Sequence, residues 1–284
     1  MRFLSTRELA DALGVSESSL KRWVDAGKIS ASRTEGGHRR IQIAEAMRFI
    51  RETGAPLARP ELLDLPEVAA ARARGDGRLS SFLHDGDSVG ARGWLMARYL
   101  EGATIVELAD GPIREAMAAV GERWHHADDS GVFLEHRATD ICLQAVAQLR
   151  TMIPAVPASA PVAIGGGPSD DPYVLPSQLA AMVVTEAGWR AINLGPDTPV
   201  GAFAHAVAQH HPELVWISIS APLAPARARS MSRWLDGLPA TTAIVIGGQQ
   251  ARTLTSLPPR AVWASSMADL SAAAGARITH QRAG

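Results

Sequence analysis

Several residue types and patterns are scarce or missing in this 284-residue sequence, and each absence narrows the choice of function. Cys142 is the single cysteine, which excludes an internal disulfide and fits a reducing cytoplasm. No apolar run is long enough to cross a bilayer, and no charged-then-apolar signal segment opens the chain. Neither a GxGxxG nor a Walker sequence occurs, which disfavours NAD or ATP. We therefore expect a cytoplasmic protein of two or three domains that binds no membrane.

The stretch from Arg33 to Arg40 reads RTEGGHRR and combines cations, an imidazole and two adjacent glycines. Adjacent glycines permit a tight hairpin tip, since glycine takes a positive φ without a Cβ clash. A cationic hairpin beside a pair of helices is the wing of a winged helix-turn-helix, and its natural partner is DNA phosphate.

Capping residues predict two short helices before this stretch. Ser5 and Glu8 have the spacing of a capping box, and Gly14 suits the end of the first helix. Ser16 is expected to cap a second helix, which ends near Gly27. The turn between the helices is short, as a helix-turn-helix requires. The positions predicted to point inward are Leu20, Trp23 and Val24 in the second helix and Ile41, Ile43, Met47 and Ile50 in a third.

Positive charge is concentrated in this N-terminal region. Residues 1–52 hold ten Lys or Arg against seven Asp or Glu, a balance of +3, whereas the whole chain carries −1. The alternative interpretation is ordinary surface charge on a small helical domain. Because the caps, the short turn and the wing agree with one another, we favour a DNA-binding head.

From Phe3 to about Ile50 the sequence resembles the MerR family of transcription regulators, whose wing often reads RTxGGHRR. The resemblance implies that the second helix enters the major groove and that the wing grips the backbone or the adjacent minor groove of double-stranded DNA. The implied contacts are Ser18, Ser19, Lys21 and Arg22 on the helix and Arg33, His38, Arg39 and Arg40 on the wing. Since the family works as dimers or higher oligomers, we also expect a homo-oligomer, either a dimer or a tetramer.

A four-helix bundle is predicted for residues 78–155 from apolar positions at helical spacing. Cys142 lies in such a pattern and is expected to be a buried structural thiol. Trp124 and His125 end one helix and Glu135-His136 begins the next, so an aromatic ring, a carboxylate and imidazoles could face a common space. From spacing alone, a tryptophan covering the core beside solvated histidines is the alternative.

Beyond Pro161 short apolar runs alternate with helical patterns, which predicts a parallel α/β sheet of Rossmann or flavodoxin type. Ligands of such sheets bind at the carboxyl ends of the strands, where this sequence has many small residues. The predicted strands are Val162–Ile164, Ala191–Leu194, Leu214–Ile219, Ala243–Ile246 and Ala261–Trp263. The predicted helices are Gln178–Glu186, Pro199–His210, Ala226–Leu235 and one from Gln250 onward.

The predicted fold class is therefore multidomain. It comprises an all-α winged helix-turn-helix head (1–54), a linker (55–77), a four-helix bundle cap (78–155) and an α/β flavodoxin- or Rossmann-like domain (160–284).

Residues 79–275 resemble the cobalamin-binding module, through the stretch from Gly188 to Pro199 and the small residues after the third and fourth strands. Joined to a MerR head, the chain resembles the CarH/LitR class of light-responsive regulators, which use adenosylcobalamin. The resemblance implies that Trp124, Glu135 and His136 cover the upper face of the corrin, with His125 as a candidate upper ligand of the cobalt. It further implies that the cofactor's nucleotide tail lies along Ser220, Gly247 and Gly248.

One departure from this class concerns the motif whose histidine binds cobalt from below. At residues 171–176, Tyr173 stands in place of that histidine and Pro176 in place of a glycine. A neutral phenol with a pKa of about 10 is a poor ligand for cobalt. Three outcomes remain open: cobalamin held by its rim and tail, another bulky ligand such as a different tetrapyrrole, or an empty module that serves oligomerisation or binds a protein partner.

The expected function is a DNA-binding transcription regulator, a repressor of the MerR/CarH type, whose body acts as a ligand or light sensor or as an oligomerisation unit. Its rivals are a cobalamin-dependent enzyme or methyl carrier, and a cofactor-independent adaptor that binds a protein through its helical cap. The missing lower histidine and the DNA-binding head argue against the enzyme, and no catalytic acid–base or nucleophile set stands out.

Overall fold

The chain forms two compact units, residues 1–155 and 156–284, in the computed structural model. The structure describes residues 3–65, 68, 78–124 and 129–283, with the backbone alone at 122–124, 129–130 and 277–283. Within these ranges no helix combines the length and the apolar character needed to cross a membrane.

The first unit opens with a head of three helices and a small antiparallel sheet. In chain order its elements are β1 (Phe3–Ser5), α1 (Thr6–Leu13), α2 (Glu17–Asp25), β2 (Ser32–Arg33), β3 (Arg39–Gln42) and α3 (Ile43–Thr53). The strand order is β1-β3-β2, so β2 and β3 form the predicted hairpin and β1 adds a third strand. The head is thus not purely helical, and Ile41, predicted on a helix, lies fully buried in β3.

The predicted helix caps are confirmed. Ser5 Oγ accepts a hydrogen bond from Glu8 N at 3.1 Å, and Glu8 Oε2 accepts one from Ser5 N at 2.7 Å. Gly14 ends α1 in the left-handed region at φ +67°. Ser16 Oγ accepts the Ser19 amide at the start of α2. These local bonds satisfy amides that a helix end would otherwise leave without partners.

The predicted linker, residues 55–77, is packed in its described first part. The amides of Ala58 and Arg59 both donate to Ala12 O at 2.9 Å, and a 3-10 turn follows at Pro60–Leu63. The buried side chains of this segment are Leu57, Pro60, Leu63, Leu65 and Val68. The core of the head therefore extends past α3 and includes residues that the sequence analysis assigned to a spacer.

Four helical segments form the predicted bundle in the rest of the first unit. They are α4 (Leu79–Asp85), α5 (Ser88–Leu100), α6 (Ile105–Leu108) joined through a π turn (Ala109–Ile113) to α7 (Arg114–Trp124), and α8 (Asp129–Arg150). Cys142 is fully buried in α8, and burial raises the pKa of its thiol to about 12. This confirms the prediction of a structural thiol.

Arg51, near the end of α3, joins the head to the bundle. Its Nη1 donates to Tyr99 O at 2.7 Å and to Ala103 O at 2.9 Å. Its guanidinium lies 3.5 Å from the centroid of the buried Tyr99 ring, within the range of a cation–π contact. Three interactions of one side chain thus attach the head to the C-terminal end of α5.

The second unit is a five-stranded parallel sheet with helices on both faces. Its elements are β4 (Val162–Gly166), α9 (Val174–Glu186), β5 (Arg190–Asn193), α10 (Val200–His210), β6 (Leu214–Ser218), α11 (Pro225–Asp236), β7 (Ala243–Gly247), β8 (Ala261–Ala264) and α12 (Met267–Ala283). The strand order β5-β4-β6-β7-β8 is that of flavodoxin-like sheets, which confirms the predicted class.

Two features of this unit differ from the sequence-based prediction. The helix predicted from Gln250 onward is only a 3-10 turn at Ala251–Thr253. The C-terminal helix α12 was not predicted, although it packs against α9. The buried Trp189 indole also donates to Ala274 O of α12, at 3.3 Å. The face of the sheet that carries α9 therefore gains its second helix from the end of the chain.

Candidate nucleic-acid interface and strand-tip site

The helix α2 presents the residues that the sequence analysis assigned to the major groove. Ser18, Lys21 and Arg22 are exposed, and Ser19 is partly exposed. Ser16 Oγ lies 2.9 Å from both the Ser18 and the Ser19 hydroxyls, and Arg22 Nη2 donates to Ser19 Oγ at 3.2 Å. The row of hydroxyls and one cation along this surface could donate to base edges or phosphates.

Lys21 has an acidic partner on the same helix. Its ammonium lies 2.9 Å from Glu17 Oε1, with both side chains more than two-fifths exposed. The Lys21 bond lowers the pKa of Glu17, and a bond from the Thr6 hydroxyl lowers it further. Exposed pairs of this kind contribute little to stability, so phosphate could compete for the lysine.

The wing, residues 32–42, is a regular hairpin with a tight tip. Thr34 N donates to His38 O at 3.0 Å, and Gly37 N donates to Thr34 O at 2.8 Å. Gly37 takes φ +75°, the left-handed conformation that the glycine pair predicted. His38 and Arg40 are exposed beside this tip.

Arg39, which is predicted to contact DNA, has an acidic partner in the structure. Its Nη2 lies 2.6 Å from Asp25 Oδ1, at the C-terminal end of α2, and its side chain is only 22% exposed. A cleft of about 390 Å³ lies between this end of α2 and the wing, lined in part by Asp25, Arg33 and Arg39. Asp25 was not singled out from the sequence, because its partner is fourteen residues away.

Glu45 on α3 holds the segment between α2 and the wing. Its Oε1 accepts the Ser30 amide at 2.6 Å and Arg48 Nη2 at 2.6 Å, while the same Arg48 nitrogen donates to Lys28 O at 3.1 Å. Partial burial opposes ionisation, but the bonds from Arg48 and Ser30 outweigh it and lower the pKa of Glu45. The wing is thus fixed relative to α2 by a charged group at its base.

Asp171 organises the loops at the carboxyl ends of the strands in the second unit. It is 1% exposed, and its Oδ2 accepts the amides of Ser220 at 2.5 Å and Ala221 at 3.2 Å. Its Oδ1 accepts the Tyr173 amide at 3.2 Å. Two of the predicted cofactor-binding residues, Tyr173 and Ser220, are therefore brought together by Asp171, a carboxylate that was not predicted to belong to the site.

The glycines predicted along the nucleotide tail lie against the chain's own backbone. A Cβ built on Gly248, which has φ +104°, would lie 2.2 Å from Ile219 O. One built on Gly247 would lie 3.2 Å from Ala264 O. These glycines permit close approach of neighbouring loops, which accounts for them without a bound ligand.

Part of the predicted cluster on the bundle lies outside the described residues. This applies to His125 and to the side chain of Trp124. Glu135 and His136 lie near the start of α8, with Glu135 Oε2 3.5 Å from His136 Nε2. Thr139 Oγ1 also donates to Glu135 Oε1 at 3.1 Å. The His136 side chain is 75% exposed and belongs to the bundle surface.

The residues at the strand tips do not fit a corrinoid that is held by a lower protein ligand. Tyr173 offers a phenol in place of an imidazole, and the ring is exposed. The histidines whose side chains the structure describes in this unit are His205, His210 and His211. His210 is the last residue of α10 and His211 follows it, at the end of the helix that is opposite to the strand tips. His205 is exposed on the same helix.

Comparisons with known proteins agree with both parts of this architecture. Residues 3–53 match the family described as a helix-turn-helix domain. The chain is 25% identical over 263 residues to the HTH-type transcriptional repressor CarA of Myxococcus xanthus, covering 88% of each protein. Among solved structures it is similar to the monomethylamine corrinoid protein of Methanosarcina barkeri, with a TM-score of 0.53 and 15% identity over 70% of this chain and 95% of the other. The last likeness establishes the fold of the body and nothing about its ligand.

Proposed function

We propose that this chain is a DNA-binding transcription regulator of the repressor type. The proposal depends chiefly on one observation, the pairing of a cationic wing with a capped helix that exposes hydroxyls and cations on the same small head. The similarity to a transcriptional repressor along most of both chains supports it.

In this proposal the two parts of the head have different tasks. Ser18, Ser19 and Arg22 on α2 contact base edges in the major groove and give sequence preference. Arg33, His38 and Arg40 on the wing contact phosphates or the adjacent minor groove and give affinity on any sequence. Arg39 is paired with Asp25 before DNA is bound, so it becomes available to phosphate only when that pair opens.

For the body we propose assembly instead of light or ligand sensing. A single small head makes few phosphate contacts, so its binding is weak, and joining heads in a dimer or tetramer raises occupancy through multivalency. The strand tips lack a described donor for cobalt, so adenosylcobalamin enters no step of this mechanism. A regulator of this kind would need no catalytic group.

The test is binding of the purified chain to DNA, measured by fluorescence anisotropy against salt concentration. The probe is a pool of duplexes of about 30 bp, long enough for two half-sites one helical turn apart, together with a sequence enriched from that pool. Arg40→Ala should weaken binding to both probes about tenfold and reduce the salt slope by about 1. Ser18→Ala should instead act mainly on the enriched sequence, by about 1 kcal/mol.

Arg229→Ala is the matched control, because it removes an exposed arginine from α11 in the other unit. Its affinity and salt slope should equal those of the unaltered chain. Equal losses of affinity for Arg40→Ala and Arg229→Ala would show that the wing does not contact DNA. The proposed function would be refuted if the unaltered chain bound no enriched duplex.

A further inference from the structure

In a parallel sheet of this strand order, ligands enter where the connections diverge to opposite faces. Here that crevice lies between the carboxyl ends of β4 and β6, the two central neighbours in the order β5-β4-β6-β7-β8. The loop after β4 (residues 167–173) and the loop after β6 (residues 219–224) form its two sides. A bulky ligand such as a corrinoid must separate these loops.

We infer that the chain closes this crevice with its own residues, Asp171 above and Trp216 below, and that the α/β unit therefore takes no corrinoid. The inference goes beyond the proposed DNA binding and does not depend on it. Asp171 then acts as an internal ligand, because its carboxylate accepts the Ser220 and Ala221 amides to which a bound ligand would otherwise bond.

Asp171 ties the two loops together across the crevice. Backbone amides at such a loop are the groups that bind anionic or acceptor groups of a ligand. The amides of Ser220 and Ala221 already donate to Asp171 Oδ2, at 2.5 and 3.2 Å, and the carboxylate is 1% exposed. Because a buried carboxylate with several amide donors is strongly held, a neutral ligand group would compete poorly for these positions.

Trp216 fills the space directly below. Gly165 pairs with Trp216 across β4 and β6, and a Cβ built on Gly165 would lie 2.1 Å from Trp216 Cδ2. The indole is 2% exposed, so the room that glycine leaves is occupied by this ring. Trp216 Nε1 is buried and has no hydrogen-bond partner among the described residues. The ring therefore occupies this space through packing and not through a hydrogen bond of its indole.

Further bonds join the neighbouring loops. Asp197 N donates to Asp171 O at 2.9 Å, and Asp197 Oδ1 accepts the Asp170 amide at 2.8 Å. On the other side, Gln250 N donates to Ile219 O at 2.9 Å. Opening the crevice would therefore break bonds to the loops after β5 and β7 as well as those of Asp171.

The first test is direct binding of corrinoids to the full chain. Hydroxocobalamin and adenosylcobalamin are each mixed with the protein in darkness and passed through gel filtration, with absorbance followed in the visible range. We expect the protein to elute without a corrin band. A coloured complex of one corrinoid per chain would overturn the inference, whether or not the same sample binds DNA.

The second test asks whether Asp171 is the closing group, by hydrogen exchange of the Ser220 and Ala221 amides. We expect strong protection in the unaltered chain, a loss of at least tenfold in Asp171→Asn, and no change in Asp170→Asn. Asp170 is the matched control, since its exposed carboxylate pairs with the exposed Arg227 of α11 instead of the Ser220 and Ala221 amides, and its φ of +70° is tolerated by asparagine. Unprotected amides in the unaltered chain, or equal exchange in both variants, would contradict the inference. Urea unfolding shows whether each variant is folded.

Discussion

The head and the strand tips of the second unit both carry polar groups, but those of the head face water and those of the strand tips are buried. On the head, Arg33, His38 and Arg40 of the wing are exposed. At the strand tips, Asp171 is buried and accepts three backbone amides of the same chain. Polar groups that face water can bind a partner without breaking internal bonds, whereas a satisfied buried group must first lose its own. Surface chemistry thus favours the head as the binding part of this protein.

The glycines of the two regions show the same contrast. Nothing lies within 4 Å of a Cβ built on Gly37 at the wing tip, where the positive φ alone accounts for glycine. At the strand tips, Cβ atoms built on Gly165 and Gly248 would lie 2.1 and 2.2 Å from neighbouring atoms. Glycine therefore serves backbone conformation in the head and close packing in the sheet.

The largest effect is expected from Gly165→Ala, which tests the packing of the sheet. Its new methyl group would meet the Trp216 ring in a region without room to adjust, so we expect a loss of about 3 kcal/mol in the free energy of unfolding. Urea unfolding of the full chain, followed by circular dichroism, measures it. Gly201→Ala, on α10 with nothing within 4 Å of the new Cβ, should instead stabilise by up to about 1 kcal/mol. A neutral Gly165→Ala would mean that Trp216 can move aside.

A smaller effect is expected at Arg51, which attaches the exposed head to the bundle. Arg51→Lys keeps the charge but loses the planar contact with Tyr99 and one of two carbonyl bonds, so unfolding should become easier by about 1–2 kcal/mol. Thermal unfolding gives the comparison with Arg98→Lys, an exposed arginine that lies 5.9 Å from the Trp94 ring centroid. That control should change stability by less than about 0.5 kcal/mol. Equal losses of stability for Arg51→Lys and Arg98→Lys would contradict the role of Arg51 in attaching the head to the bundle.

The smallest effect is expected from Asp25→Asn, which tests whether the ion pair with Asp25 keeps Arg39 from binding DNA phosphate. Removing the carboxylate releases Arg39 and removes a negative charge from the proposed DNA face, so affinity for duplex DNA should rise about three- to tenfold. The salt slope should also become steeper by up to about 1. Anisotropy titrations measure both quantities. Asp236→Asn makes the same charge change on an exposed residue of α11. An equal rise in affinity for that variant would mean that the effect comes from net charge alone and not from the release of Arg39.

Local sequence was enough to predict much of the fold. The caps at Ser5 and Ser16 and the glycine-rich tip at Gly37 depend on residues within four positions of one another. The five strands of the second unit were predicted within two residues of their ends, because buried parallel strands are short apolar runs. The prediction of a helix from Gln250 onward was wrong, because the structure has only a 3-10 turn there. A helical pattern of apolar residues does not indicate how many turns the helix will have.

The site residues were harder to predict because their roles depend on distant partners. Asp25 and Arg39 are fourteen residues apart, and Asp171 and Ser220 are forty-nine apart. The motif around Asp171 drew attention to the missing histidine at Tyr173, but nothing local indicated that the carboxylate would reach the loop after β6. Likewise, the small residues at the ends of the predicted strands were interpreted as room for a ligand, whereas at Gly165 the ring of Trp216 in the neighbouring strand fills that room.

Sequence by itself determined most of the helices, the strands of the sheet and the cationic wing, because capping, hydrophobic period and glycine conformation act over a few residues. Tertiary structure alone decided which polar groups remain at the surface. Arg39 was drawn to Asp25, and Asp171 was buried under the amides of another loop, since hydrogen bonds and burial are settled only when distant segments meet.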